Sequence, residues 1–429
     1  MERITFDQLQ EELFHEKLPN GLEVYVLPKK GFNKTYATFT TKYGSIDNQF
    51  VPLNQNEMTQ VPDGIAHFLE HKLFEKEDGD VFQEFSKQGA SANAFTSFTR
   101  TAYLFSATSN VEKNLETLID FVQSPYFTEK TVEKEKGIIG QEITMYDDNP
   151  DWRLYFGVIQ NMFQNHPVKI DIAGTIESIS KITEDMLYTC YETFYHPSNM
   201  LLFVVGPVDP EKIFDQIRSN QAKKDYKDQP EIQRHLYEEP NHVSEKKQVL
   251  QMNVQSSKCL VGVKAKNATR SGNELLKNEL TLNIILDLLF GKSSDHYEKL
   301  YNDGLIDETF SFDYTEESGF GFAIIGGDTR DPDQLAERIK KVLLDAKDMT
   351  FTQEQLDRIK KKKIGGFLRS LNSPEYIANQ FTRYAFNDMN LFDVVPVMEQ
   401  ITVDDMKETV SSFINEECFT VCQVVPKQK

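Results

Sequence analysis

His67-Phe68-Leu69-Glu70-His71 places two imidazoles and a carboxylate within five consecutive residues. On a helix, residues i and i+4 project from one face, so His67 and His71 can share one metal ion while Glu70 sits beside the second histidine. The flanks suit a helix. Pro62-Asp63-Gly64 makes a turn with Asp63 as the expected helix start, and Lys72-Leu73-Phe74 continues the apolar spacing.

The order H-x-x-E-H is the inverted form of the zinc-protease helix. In such a centre neutral imidazoles bind Zn²⁺, a further protein ligand completes the set, and the open position holds a water whose pKa falls from about 15.7 to about 7. Glu70 is then the expected general base, taking the proton from that water and passing it to the leaving amine. Two histidines do not hold a catalytic zinc alone, and a second helix offering a carboxylate toward the first would complete the set. Residues 128–148 supply one: Thr128 is a good N-cap, Glu129 and Glu133 load the first turn with negative charge, and Asn149-Pro150 ends the run. Glu135 and Glu142 stand seven positions apart on one face of it. Gly137 and Gly140 between them predict a close helix approach.

These stretches, in order, are Gly64-x-Ala66-His67-x-x-Glu70-His71, then Gly89-Ala90-Ser91-Ala92-Asn93-Ala94-Phe95-Thr96, then Glu135-Lys136-Gly137-x-x-x-x-Glu142. The pattern resembles the pitrilysin, insulin-degrading and mitochondrial-processing peptidase family, and the resemblance spans nearly the whole chain from Leu18-Pro19-Asn20-Gly21-Leu22 onward. It implies one zinc per chain held by His67, His71 and Glu142, with Glu135 as a carboxylate that orients or polarises the site, a role metal-bound histidines commonly require. It also implies that the strand carrying Asn93 and Ala94 is a sheet edge near the zinc. An extended peptide adds there by main-chain hydrogen bonds, while pockets choose side chains. Ser97-Phe98-Thr99-Arg100 is the expected turn to the next strand.

The family's second half usually carries an Arg and a Tyr, seven apart, that hold the substrate carbonyl. Tyr301 and Glu308 stand there instead, and a glutamate cannot donate to an oxyanion unless protonated. The expectation that follows is a heterodimer, in which a paralogous partner supplies the Arg and Tyr to a closed chamber; a homodimer is the other arrangement. A second reading is a non-catalytic peptide-binding or scaffold subunit, since family members exist that keep the fold after losing the chemistry. Co²⁺ or Mn²⁺ also suits two His and one Glu.

At 429 residues the chain exceeds a comfortable single core. The expected division is a zinc-binding domain over 1–220, a charged linker over 221–246, and a domain without metal over 247–429. Both halves show a similar order of elements, closing on the apolar strands 200–205 and 418–425, with Thr281 to Leu286 standing where the first half has its zinc helix. That predicts an α+β fold of two duplicated α/β-sandwich domains, each an antiparallel-rich sheet with helices on it, which in the resembling family form half of a clamshell. A net charge of −20 argues against a nucleic-acid partner. The run Lys360 to Lys363 reads as a solvated helix face. Cys190, Cys259, Cys418 and Cys422 are too few for a disulfide framework, and residues 1–30 hold no apolar stretch of signal-peptide length, so free thiols and a cytoplasmic location are expected. His166, His196, His242 and His296 lack a ligand partner at helical spacing and are read as structural.

Overall fold

The computed structural model describes residues 1–53, 55–317 and 319–427, and the chain divides into two compact units. The first unit is built on a sheet of β1 (Glu2–Phe6), β2 (Glu11–Lys17), β3 (Glu23–Pro28), β4 (Thr35–Thr41), β5 (Ala90–Thr96), β6 (Thr101–Ala107) and β7 (Met200–Gly206), in the order β1-β2-β3-β7-β4-β6-β5. The second uses β8 (Lys247–Met252), β9 (Ser257–Lys264), β10 (Ser311–Glu317), β11 (Phe320–Thr329) and β12 (Phe419–Pro426), in the order β8-β12-β9-β11-β10. The order β3-β7-β4-β6-β5 is repeated strand for strand. In both sheets the closing strand pairs in parallel with the first and antiparallel with the second. The expected duplication of an antiparallel-rich sheet is therefore present. Central β4 and β7 are buried along their whole length, whereas β5, at the edge, is only half covered.

In the first unit, α1 (Ile65–Leu73) carries the His-Glu-His motif and buries eight of its nine residues, Phe68 and Leu69 completely. It packs on β5 and β6. Its start differs from the expectation at Asp63. The N-cap is Gly64, with φ 89° and no side-chain cap, and the Asp63 carboxylate instead accepts from Asn48. A Cβ on Gly64 would lie 2.4 Å from the Ala173 carbonyl oxygen, so close passage of the neighbouring loop sets the boundary. The facing helix is α2 (Glu129–Asp148), which turns Val132, Glu135, Ile139 and Ile143 inward. The close approach expected at Gly137 and Gly140 does not occur, because a Cβ at either would meet nothing within 4 Å.

The units also differ from the expected division at residues 220 and 247. The first comprises 1–143, 171–235 and 370–386, and the second 144–170, 236–369 and 387–429; residues 428 and 429 of the last span lie outside those described. Helix α3 (Pro150–Met162), from the first half of the sequence, lies on β12, β9 and β8. Gly157 and Gly262 allow it, since a Cβ on the first would sit 2.6 Å from Cys422 Sγ and on the second 2.8 Å from Val158 Cγ2. Helix α4 (Gly272–Phe290) occupies in this unit the place of α1 but carries no histidine, burying leucines, isoleucines and a phenylalanine together with the carboxylates of Glu279 and Asp287. It is followed by α5 (Asp295–Asn302) and later by α6 (Gln353–Ser370). Conversely, α7 (Pro374–Ala385) covers β4 and β7 of the first unit, where the Phe381 ring packs 4.8 Å from Tyr25 and 4.7 Å from Phe203.

Nor does 221–246 behave as a loose charged linker. In the first unit Arg234 pairs with buried Asp47 at 2.7 Å. In the second, the Glu239 carboxylate accepts from the backbone N–H groups of Gln164, Asn165 and His166 and from Lys264. The Lys360–Lys363 run is likewise engaged: Lys362 and Lys363 both reach Asp287, and Lys360 donates to the carbonyls of Glu399 and Ile401. The four cysteines are free and buried. His166 and His196 accept N–H groups of Val168 and Ser198 at the starts of short 3₁₀ turns. Among the described residues no helix is long and apolar enough to cross a membrane.

Candidate active site

One helical turn separates His67 from His71, so their rings meet edge to face with centroids 4.6 Å apart. From α2, two turns place Glu142 opposite both: its Oε1 lies 3.8 Å from His67 Nε2 and its Oε2 3.5 Å from His71 Nε2. Donor atoms of these three residues all lie within 4.8 Å of one another, and among the described residues this is the cluster of His, Cys and acidic groups close enough to hold a metal. Two ligands bonded at 2.0–2.1 Å to a tetrahedral zinc lie about 3.4 Å apart. The donor set of two imidazoles and one carboxylate therefore fits zinc in spacing and in kind.

The two histidines sit in different surroundings. His71 Nδ1 lies 3.1 Å from Glu135 Oε1, on the inward face of α2, whereas buried His67 Nδ1 has no hydrogen-bond partner among the described residues. Burial, reinforced by the charge of His71, lowers the His67 pKa to about 4, which keeps the ring neutral with one nitrogen lone pair available. For His71 burial also opposes charge, but the hydrogen bond to Glu135 and the carboxylates of Glu70 and Glu142 outweigh it and raise the pKa.

Glu70 is buried, and desolvation pushes its pKa up to about 6 even though the Thr96 hydroxyl donates to its Oε2 at 2.7 Å. Glu70, His71 and Glu135 open onto a cavity of about 680 Å³ that Asn93 and Ala94 also line. Its apolar wall is Phe74, Phe82 and Ile138, and Glu75, Glu77 and Asp80 border it from a short hairpin, Glu75–Lys76 with Gly79–Asp80. Asn93 and Ala94 lie on edge strand β5, as expected, and the Ala94 N–H is taken up by the Asn93 side-chain oxygen at 2.9 Å. In the second unit, Tyr301 on α5 is 57% exposed and stacks on Tyr297, and Glu308 is exposed in the turn before β10.

Sequence reasoning therefore named residues that the fold brings together, namely His67, Glu70, His71, Glu135, Glu142, Asn93 and Ala94. It missed the contact of Thr96 with Glu70 and the cavity. Thr96 stood in the quoted 89–96 stretch, and Asp78-Gly79 was a hairpin signal, but neither says which side chain lies across from it.

The duplicated sheet carries a two-His, one-Glu cluster on its first copy, and comparison with known proteins gives the family. Residues 57–176 match the insulinase family (peptidase family M16), and residues 181–363 match the peptidase M16 inactive domain. The chain is similar to an uncharacterized zinc protease, YmfH, of Bacillus subtilis, with 71% identity over 99% of each chain. It is also similar to a second uncharacterized zinc protease of that organism, YmxG, at 27% identity over 72% of this chain and 75% of the other. Among solved structures it resembles an M16-like peptidase from Alicyclobacillus acidocaldarius, with a TM-score of 0.94 and 40% identity over 97% of this chain and 99% of the other. The chain belongs to the insulinase (M16) family of zinc peptidases.

Proposed function

We propose that this chain is a zinc-dependent endopeptidase acting on short or unfolded peptides. The observation that carries this reading is the convergence of His67, His71 and Glu142 beside a buried carboxylate, Glu70, next to an exposed sheet edge. Zinc bound there would polarise the scissile carbonyl and lower the pKa of a water. His67 and His71 would hold it through Nε2, and Glu135 would fix the ring of His71 through Nδ1. Glu70 would accept the proton of the attacking water at Oε1, because Oε2 is already bonded to Thr96, and would deliver it to the departing amine nitrogen. On β5, a substrate carbonyl would replace the Asn93 side chain at the Ala94 N–H, so the peptide joins the sheet as an added strand.

A paralogous subunit would supply the Arg and Tyr for which this chain has Tyr301 and Glu308. The presence of two family chains in Bacillus subtilis supports such a pair. The same two positions favour the alternative of a non-catalytic peptide-holding subunit. Metal content and cleavage separate the readings: the parent should carry about one zinc per chain, Glu142→Ala should lose it, and Glu70→Gln should keep it while losing cleavage. A parent that takes up no zinc when supplied with it would leave only the scaffold.

A further inference from the structure

We propose that Thr96 is a positioning residue for Glu70, so that the end of the edge strand which receives the peptide also orients the base. This rests on the peptidase reading above, in which Thr96 enters only as the partner that occupies Glu70 Oε2.

Thr96 is the last residue of β5, and its hydroxyl lies 2.7 Å from Glu70 Oε2. The direction of that proton is set by the carboxylate, which when ionised has no hydrogen to give, and the neighbouring hydroxyl does not compete. Thr101, paired with Thr96 across the two strands, has one hydroxyl hydrogen and gives it to the Tyr43 carbonyl at 2.9 Å. At 3.4 Å from Thr101, the Thr96 oxygen is a poor competitor for that hydrogen, and its own is free for the carboxylate. An ionised carboxylate only accepts, so this bond fixes one oxygen and leaves the other for proton transfer.

The threonine cannot swing away easily. Its χ1 is stiff because it is branched at Cβ, and the turn that follows it is clamped from two directions. Within the turn, Ser97 N–H donates to the Arg100 carbonyl at 2.8 Å, and Ser97 Oγ accepts from Arg100 N–H at 3.2 Å. From outside, Ser45 N–H reaches the Ser97 carbonyl at 3.0 Å and Ile46 N–H the Phe98 carbonyl at 3.1 Å. That outer loop is fixed in turn. Asp47 accepts from Gly44 N–H at 2.8 Å and pairs with Arg234 at 2.7 Å, while a Cβ on Gly44 would lie 2.3 Å from the Phe98 carbonyl oxygen. The path from Arg234 through Asp47, the turn and Thr96 to Glu70 lies wholly in the first unit. Orientation of a reacting group matters steeply, a displacement of about 1 Å being able to cost roughly 100-fold.

The test compares Thr96→Val, which keeps shape and removes the donor, with Thr96→Ser, which restores it, in the zinc-loaded full chain, with its partner if cleavage needs one. A quenched fluorogenic peptide mixture reports kcat and KM, bound zinc is measured independently, and a crystal structure of the valine variant shows the Glu70 carboxylate. We expect one zinc in both variants and a kcat at least about tenfold lower for valine with KM within about twofold. The Glu70 carboxylate should be turned or split between positions, and serine should recover most of the rate. A valine variant with parental kcat and an unmoved carboxylate would overturn the proposal, as would a serine variant no better than valine. If valine prevents folding, Thr96→Ala is judged by the same outcomes. The parent reading is tested apart from this: Glu70→Gln cleaving at the parental rate would remove the base itself, whatever Thr96 does.

Discussion

The Nδ1 of His71 lies 3.1 Å from Glu135 Oε1, while its Nε2 lies 3.5 Å from Glu142 Oε2, so two carboxylates of one helix hold opposite edges of one imidazole. Glu142 faces the metal position and Glu135 the far nitrogen. Replacing Glu135 by Ala should therefore weaken zinc affinity by about 10–100-fold without abolishing binding, whereas Glu142→Ala removes a ligand. Competition against a chelator of known affinity measures both. Equal losses in the two variants would show that Glu135 is itself a ligand.

Two glycines should respond oppositely to alanine. Gly64→Ala puts a Cβ at φ 89° and against the Ala173 carbonyl, so it should destabilise the first unit by at least about 1–3 kcal/mol. Gly137→Ala lies in the interior of α2 with nothing within 4 Å of its Cβ, and should stabilise by about 0.5–1 kcal/mol. Urea unfolding of both variants against the parent decides the signs.

Burial of His166 lowers its pKa from 6.5 to about 4, against the pull of nearby Glu239. Its Nδ1 accepts the Val168 N–H, which requires the neutral ring. Above pH 6.5 both folded and unfolded states are neutral at this position and its contribution is intact. As pH falls from 6.5 toward 4 the unfolded chain binds the proton first, so stability declines, by about 2–4 kcal/mol in all for this group. Denaturant midpoints of the parent and His166→Asn, compared across that window, should show a shallower decline in the variant. Parallel curves would exclude the histidine as the cause.

Exposure of Tyr301 and Glu308 leads to a further expectation. Cleavage of a fluorogenic peptide should rise at least about tenfold when the chain is mixed with a paralogous family member from the same cell, and that partner's own Arg or Tyr should be needed for the gain. An isolated chain already at the full rate would show that the second half supplies its own oxyanion contacts.

The metal-binding pattern is legible in the sequence because it obeys helical periodicity: a spacing of four positions from His67 to His71, and of seven from Glu135 to Glu142, sets faces before any tertiary contact exists. The succession of elements along the chain was legible to the extent that both halves repeat apolar runs in the same order. Packing partners were not. Apolar faces such as those of α3 and α7 do not name the sheet they will cover, and Gly157, Gly262 and Phe381 acquire their meaning only from what lies opposite. Gly137 and Gly140 misled for the same reason, since the absence of a side chain says nothing about whether anything approaches.

The sequence by itself determined the donor types, their spacing along two helices and the repeated α+β plan, all of which follow from covalent order and the 3.6- and 2-residue periods. Only the tertiary structure decided that Glu142 faces both histidines, that Thr96 reaches Glu70 from 26 positions away, that a cavity opens beside them, and that α3 and α7 each join the unit built mainly from the other half of the sequence. Those outcomes depend on close packing of surfaces distant in sequence, where burial and directional hydrogen bonds select among partners that local pattern leaves equivalent.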